Sequence, residues 1–434
     1  MTSTYQTKLA LQESLTKKMD DWTFNGASTR EHTHCFHDYP ARMIPQVAAK
    51  LIDRFGNRAK LLFDPYCGTG TSIVEALIRG INAVGTDLNP LARLIAKAKT
   101  SIRSRRQLDN ELRRFYRLIM QLGPKEYGPT PSKIPGITRL DFWFKPEVIK
   151  KLAYIKKFID EIENNMAQLF FQVAFSETVR ESSNTRTEEF KLYRYDPKRL
   201  NSFNPDVFGI MCNKLQRNGA GLEAFLRIID RLEYPPTARI FEFNSVNAIP
   251  SDCIEPCSVD IIITSPPYGD SHTTVAYGQY SRLSAAWLSL SEPGKIDNKL
   301  MGGRVYKRIP NFPCEKLNTS LSHIFKKDKK RAFEVASFYV DLQSSIKNVS
   351  ELVRRGGYAC YVVGNRKVKG LTLPTDDAIK CFFEFNNFRH IETFVRSIPN
   401  KRMPLRNSPT NITGISDNTM INEYIVVMQR REVT

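Results

Sequence analysis

Short apolar runs with flanking turn residues alternate along this chain with stretches of helical spacing, and the change of period marks the elements. Residues 60–63 (Lys-Leu-Leu-Phe) predict a buried strand, and residues 64–70 (Asp-Pro-Tyr-Cys-Gly-Thr-Gly) have turn composition. Residues 71–79 then place Ile73, Val74 and Leu77 on one helical face, Gly80 ends the helix, and Asn82–Thr86 predicts a second strand closing on Asp87. Strand, glycine turn, helix and strand make half of a doubly wound unit. The apolar pattern resumes in strands at 239–243 and 259–263, a helix at 338–353, and strands at 358–363 and 423–428. Between these pieces lie two polar, basic stretches, about 100–238 and 293–331, the first with helical spacing at 107–122 and 148–163. A sheet assembled from separated segments, with two insertions, is therefore expected.

Composition narrows the class. The 434 residues are 41% apolar, enough for a sizeable core, and no apolar run is long enough to span a bilayer. The start of the chain is polar and has no signal-peptide core, so a soluble, cytoplasmic protein with no membrane partner is expected. Eight scattered cysteines form no CxxC pair and show no metal-ligand spacing, which points to free thiols and no metal site. Lys and Arg outnumber Asp and Glu by 64 to 45, a net charge of +19 that attracts polyanions.

Two loops carry candidate chemistry. The 64–70 turn lets backbone approach a ligand at the carboxyl end of a strand, and no Lys-Ser/Thr pair follows it, which excludes a Walker phosphate loop. Asp87, ending the next strand, is placed to accept hydrogen bonds from both ribose hydroxyls of an adenosine group. The second loop, Thr264-Ser265-Pro266-Pro267-Tyr268, directly follows the 259–263 strand. Its prolines stiffen the chain and remove backbone donors. A carbonyl of Ser265 or Pro266, with the Ser265 hydroxyl, can then accept both hydrogens of an exocyclic amine, and Tyr268 offers a face on which an extruded base stacks. His272 is near enough in sequence to act as a base, although loop histidines are more often plain surface residues.

At these residues the chain resembles the amino-group (N4-cytosine and N6-adenine) DNA methyltransferases. The 64–70 turn is similar to the family's cofactor loop, and Thr264–Tyr268 to its catalytic motif in the Ser-Pro-Pro-Tyr form typical of cytosine-N4 enzymes. Residues 37–45 (His-Asp-Tyr-Pro-Ala-Arg-Met-Ile-Pro) resemble the segment that closes over the cofactor, and 356–365 the strand behind the catalytic loop. The resemblance implies S-adenosylmethionine as cofactor. Its binding residues would be Tyr39, Pro40, Ala41, Asp64, Pro65, Cys67, Gly68, Thr69, Gly70, Asp87, Leu88, Asn89 and Thr264. The family's adenine-binding carboxylate is missing from 243–250, where Ser245 or Asn247 stands in its place. Catalysis would fall to Ser265, Pro266, Pro267 and Tyr268, with no metal.

The expected fold is a Rossmann-like α/β methyltransferase with a mainly parallel sheet, and the resemblance implies an antiparallel C-terminal strand. Residues 1–100 would hold an N-terminal arm and the cofactor part. Residues 101–238 would form a basic, largely helical insertion that grips the target. Residues 239–434 would be the catalytic part, with a basic loop insertion at about 293–331. Double-stranded DNA is the expected partner, gripped by Arg105, Arg106, Arg113, Arg114 and Arg402, and a cognate restriction endonuclease would be a separate protein. Three alternatives stay open: adenine N6, a transfer-RNA guanine, and an idle DNA-binding module on the same fold. Carbon-5 cytosine methylation is rejected, because Cys257 precedes the buried strand instead of following it and no Glu-Asn-Val partner occurs.

Overall fold

The structure is a computed structural model that describes residues 21–121, 129–187, 191–269, 277–291, 296–398, 406–407, 417–418 and 422–432. Arg402 and His272 lie outside the described residues. The sheet is built on β1 (Leu61–Asp64), whose Leu62 and Phe63 are fully buried. It is continued by β2 (Asn82–Thr86), β3 (Ala238–Phe241), β4 (Val259–Thr264), β5 (Val353–Val363), β6 (Phe388–Ser397) and β7 (Asn422–Arg430). The seven strands lie in the order β3-β2-β1-β4-β5-β7-β6. Strands β1 to β5 pair in parallel, whereas β7 is antiparallel to both β5 and β6. This is the expected Rossmann-like sheet, including the reversed C-terminal strand that the family resemblance implies. Near-continuous apolar strands such as Ile261-Ile262-Ile263, buried throughout, are what a sheet covered on both faces requires.

Helices α1 (Pro45–Phe55), α2 (Thr71–Ile78) and α3 (Pro90–Ser101) cover the first strands. Helix α2 starts at Gly70, whose φ of 76° is left-handed and favours glycine. A side chain there would also press on Ala96 of α3, 3.2 Å from a built Cβ. Helix α3 starts with Pro90 in its first turn, and the Asn89 side chain caps it by accepting the Leu91 N–H at 3.0 Å.

The first insertion is helical, as its spacing predicts, with α4 (Arg106–Gln121), α5 (Pro146–Asp160), α6 (Asn165–Ser182) and α7 (Val207–Ile229). Its described residues form no core separate from the rest of the chain. One apolar cluster runs from Leu91 and Ile95 of α3 through Phe115, Phe158 and Phe171 to Trp287 of α8 (Tyr277–Trp287). Around Phe115, the Phe158 and Phe171 rings lie at 5.1 and 5.5 Å. The second insertion differs from the loop expected for it. It contains α9 (Glu315–Lys327), whose buried Leu317, Leu321 and Ile324 follow helical spacing within a charged sequence. Next comes α10 (Lys329–Leu352), starting well before the expected 338 because Asp328 caps it through the Arg331 N–H. The polar face of each helix outweighs its apolar stripe in composition, which is why the region reads as loop. Helix α11 (Thr375–Phe385) then leads to β6.

A shared core has a measurable consequence. Phe171→Ala is expected to lower stability by about 3–5 kcal/mol, the range for deleting a fully buried ring. Calorimetry should show the whole transition moving as one. A separate early transition, with the rest unmoved, would mean that the insertion is an independent unit.

Candidate active site

The carboxyl ends of β1, β2 and β4 meet in a cleft. Its floor is the 64–70 turn, from which Asp64, Pro65, Cys67, Gly68 and Thr69 line it. Asp87, Leu88 and Asn89 line it from the end of β2, Ser245 from beyond β3, Ser265 and Pro267 from beyond β4, and Tyr39, Pro40 and Ala41 from the N-terminal segment. Residues separated by more than two hundred positions are thus brought together.

One buried carboxylate ties the parts. Asp64 is 3% exposed; its Oδ1 accepts the Thr264 hydroxyl at 2.5 Å and the Tyr66 N–H at 3.1 Å, and its Oδ2 accepts the Ser72 hydroxyl. Burial pushes its pKa up to about 6 despite those bonds. Asp87 is half-buried, and its two oxygens accept the Gly68 and Asn89 N–H groups at 3.0 and 2.7 Å. Each oxygen keeps a lone pair for a further donor. Burial raises its pKa as well.

Lys99, 1% exposed, donates to the Thr69 carbonyl at 2.9 Å and so holds the turn from beneath. Desolvation, with Arg42 nearby, pulls its pKa down to about 7. On the N-terminal side the Tyr39 ring stacks on Tyr277 at 6.0 Å and 13°, and its hydroxyl accepts from Asn89 at 2.9 Å.

Several expected residues play other parts. Thr264 is fully buried and serves the Asp64 carboxylate, and Gly70 starts α2. Asn89 borders the cleft, but its side chain is engaged in capping α3 and in bonds to Tyr39 and Ser281. Of the two adenine candidates, Ser245 lines the cleft, whereas Asn247 is exposed and outside it. Pro266 is buried, and Tyr268 lies beyond the lining, its hydroxyl donating to Glu423 at 2.8 Å.

Sequence reasoning missed Tyr277, Phe243, Leu300 and Met301, which also line the cleft. Of the basic residues, Arg105 pairs with Glu223 and Asp109, and Arg114 with Glu111 and Glu161, so both help hold the insertion together. Arg105 directly precedes α4. Arg106 and Arg113 are exposed, and Arg113 donates to Asn110. None of these four lines the cleft.

No family model matches the chain. It is 41% identical over 440 residues, 96% of each chain, to "Type II methyltransferase M.MvaI" of Kocuria varians. The chain belongs to the Type II DNA methyltransferases. This methyltransferase is also 36% identical over 92 residues, 20% of the chain and 17% of the relative, to Type II methyltransferase M.MjaII of Methanocaldococcus jannaschii. To Type II methyltransferase M.BsoBI of Geobacillus stearothermophilus it is 24% identical over 61% of the chain and 54% of the relative. Among solved structures, an rRNA methyltransferase, aviRa, of Streptomyces viridochromogenes covers 91% of this chain and is itself covered over 88%. At 9% identity and a TM-score of 0.33 that likeness carries no argument. Among the described residues of the methyltransferase, no helix is long and apolar enough to cross a membrane, and no cluster of three or more His, Cys, Asp or Glu is placed to hold a metal. All eight cysteines are free.

The Asp64 carboxyl gives the methyltransferase a pH signature. Its folded pKa, about 6, lies above the ordinary 3.8, so the folded state holds the proton more tightly. Its contribution to stability is therefore most favourable below 3.8, declines as pH rises to about 6, and is flat above. Thermal melts should show wild type losing ground against Asp64→Asn across that window; a constant difference would mean an unshifted carboxyl.

Proposed function

We propose that this methyltransferase transfers the methyl group of S-adenosylmethionine to the N4 amine of cytosine in double-stranded DNA. We infer further that it serves as the modification enzyme beside a separate restriction endonuclease. The observation that carries the reading is the shared cleft: Ser265 and Pro267 border the same space as Tyr39, Gly68, Thr69 and Asp87.

That space suits the cofactor. The Thr69 hydroxyl oxygen is buried at its edge and has no partner among the described residues. A Cβ built on Gly68 meets no atom of the described residues within 4 Å, so backbone there faces open cleft. Asp87, with lone pairs to spare, would hold the ribose hydroxyls, and Ser245 with Phe243 and Val246 would take the adenine. Tyr39, Pro40 and Ala41 would close over the methionine part. When bound, the cofactor supplies an electrophilic methyl group on a sulfonium.

The chain's own task is to present the nucleophile. A cytosine amine is a weak one because its lone pair is delocalised into the ring. Ser265 Oγ, with the Ser265 or Pro266 carbonyl, would accept its hydrogens and draw the lone pair toward the methyl group. Tyr268 would support the extruded base. Since no protein nucleophile takes part, positioning and hydrogen-bond polarisation would provide most of the rate. The cytosine assignment rests on serine at 265, where adenine enzymes of this type more often carry Asp or Asn. Arg106 and Arg113, exposed on α4, remain candidates for phosphate contact.

Labelled methyl transfer to unmethylated bacterial DNA, followed by nucleoside mass spectrometry, tests this directly. N4-methylcytosine is expected, and Ser265→Ala should lower kcat about 100-fold. N6-methyladenine would overturn the base, and label found only in RNA would overturn the substrate. Asp87→Ala should weaken cofactor binding about 10- to 100-fold by calorimetry, as loss of hydrogen bonds to a charged group predicts. Unchanged affinity would remove Asp87 from the cofactor site.

A further inference from the structure

The hydroxyl of Tyr268 does not end at the loop that carries it. Ser265 Oγ donates to Tyr268 Oη at 3.3 Å, and Tyr268 Oη donates to Glu423 Oε1 at 2.8 Å. Glu423 Oε2 in turn accepts from Arg396 Nη1 at 2.6 Å. Arg396 and Glu423 are direct cross-strand partners on β6 and β7, and the arginine is only 6% exposed. The far end of the chain of bonds is therefore a largely buried ion pair fixed by strand register, and its near end borders the cleft.

The direction of these bonds follows from what each group can do. A carboxylate only accepts, so the single Tyr268 proton goes to Glu423. Tyr268 Oη can then only accept from Ser265, which directs the Ser265 proton away from the cleft. A serine hydroxyl with its proton so placed keeps lone pairs for an amine N–H. If that proton pointed at the amine instead, it would bond the very lone pair that must attack. Bonds ending on a charge also polarise one another, which makes Ser265 Oγ a stronger acceptor.

We propose that Glu423, held by Arg396, is a positioning residue that sets the direction of hydrogen bonding through Tyr268, so that Ser265 meets the target amine as an acceptor. The proposal rests on the reading of a base amine as substrate.

Steady-state kinetics of the full-length enzyme on unmethylated DNA, with cofactor affinity measured separately, test it. Tyr268→Phe keeps the ring and the ion pair and removes only the link. Glu423→Gln replaces an obligate acceptor by an amide whose NH2 can donate to Tyr268 and reverse the chain. Each is expected to lower kcat about 10- to 100-fold, with cofactor affinity unchanged. In the Tyr268→Phe background, Glu423→Gln should add less than about twofold, because the two act through one path. Losses that multiply, or a Tyr268→Phe enzyme with wild-type kcat, would overturn the proposal. Should Glu423→Gln fail to fold, Ser265→Ala placed on Tyr268→Phe makes the same comparison. If wild type methylates no base amine, the functional reading itself fails and the proposal falls with it. If it does so and the variants match it, only the proposal fails.

Discussion

Asp64 accepts the Ser72 hydroxyl at the start of α2 and the Thr264 hydroxyl at the end of β4, and it does so almost wholly shielded from water. Those two bonds span the gap between the glycine turn and the loop that carries Ser265. Both donors are short side chains on rigid elements, so the two loops can shift against each other very little without leaving a buried carboxylate unsatisfied. An unpaired carboxylate in that position costs several kcal/mol. The register of β1 on β4, Leu62 opposite Ile261 and Phe63 opposite Ile262, brings the ends of the two strands together, with Thr264 within one residue of the level of Asp64. The cleft is thus a consequence of strand pairing fixed by one ionisable group.

With that tie in place, the long insertion between the two loops carries little cost. It leaves from α3 and returns to β3 at the edge of the sheet, so neither β1 nor β4 has to move. Its helices bury their apolar faces against α3 and α8, the helices that flank the cleft, in one continuous cluster. Motion of the insertion and shape of the cleft are coupled through that packing. The N-terminal segment is held in the same way: Glu177 of α6 accepts the Asp38 N–H at 2.7 Å, one residue from Tyr39.

What could be read in the sequence was local in the chain. The 64–70 turn, Asp87 and the Ser265–Tyr268 loop each announce themselves within a few residues, because a tight turn after a buried strand has few chemical solutions. Tyr277, Leu300 and Met301 were not legible, since one tyrosine and two aliphatic residues in polar surroundings carry no signal until the fold brings them to the cleft. Asn89 was legible as a position but not as a role, for its neighbour Pro90 marks a helix start as clearly as a ligand site. The arginines show the same limit in electrostatic form. Charge attracts polyanions only where it is not already neutralised, and the partners of Arg105 and Arg114 include Glu223 and Glu161, far away in sequence. Strand β6 escaped because its buried positions, among them Phe388, Phe394 and Arg396, mix a cation with apolar residues and break the alternation.

The reversed strand matters for a geometric reason. Five parallel strands present only their carboxyl ends to the cleft, and those ends are occupied by the loops that make its walls. A strand running the other way starts at that same edge. Strand β7 therefore delivers Glu423 from its second residue, from behind the Ser265 loop and without a loop of its own. Because Glu423 sits opposite Arg396 of β6, and the next residue, Tyr424, is paired with Val363 of β5, its position is set by strand pairing instead of by loop conformation. A group that has to fix the orientation of a hydroxyl is best anchored in that manner, since an error of one ångström would lose the bond. Antiparallel insertion of the last strand thus places a charged group where the parallel strands have none to offer.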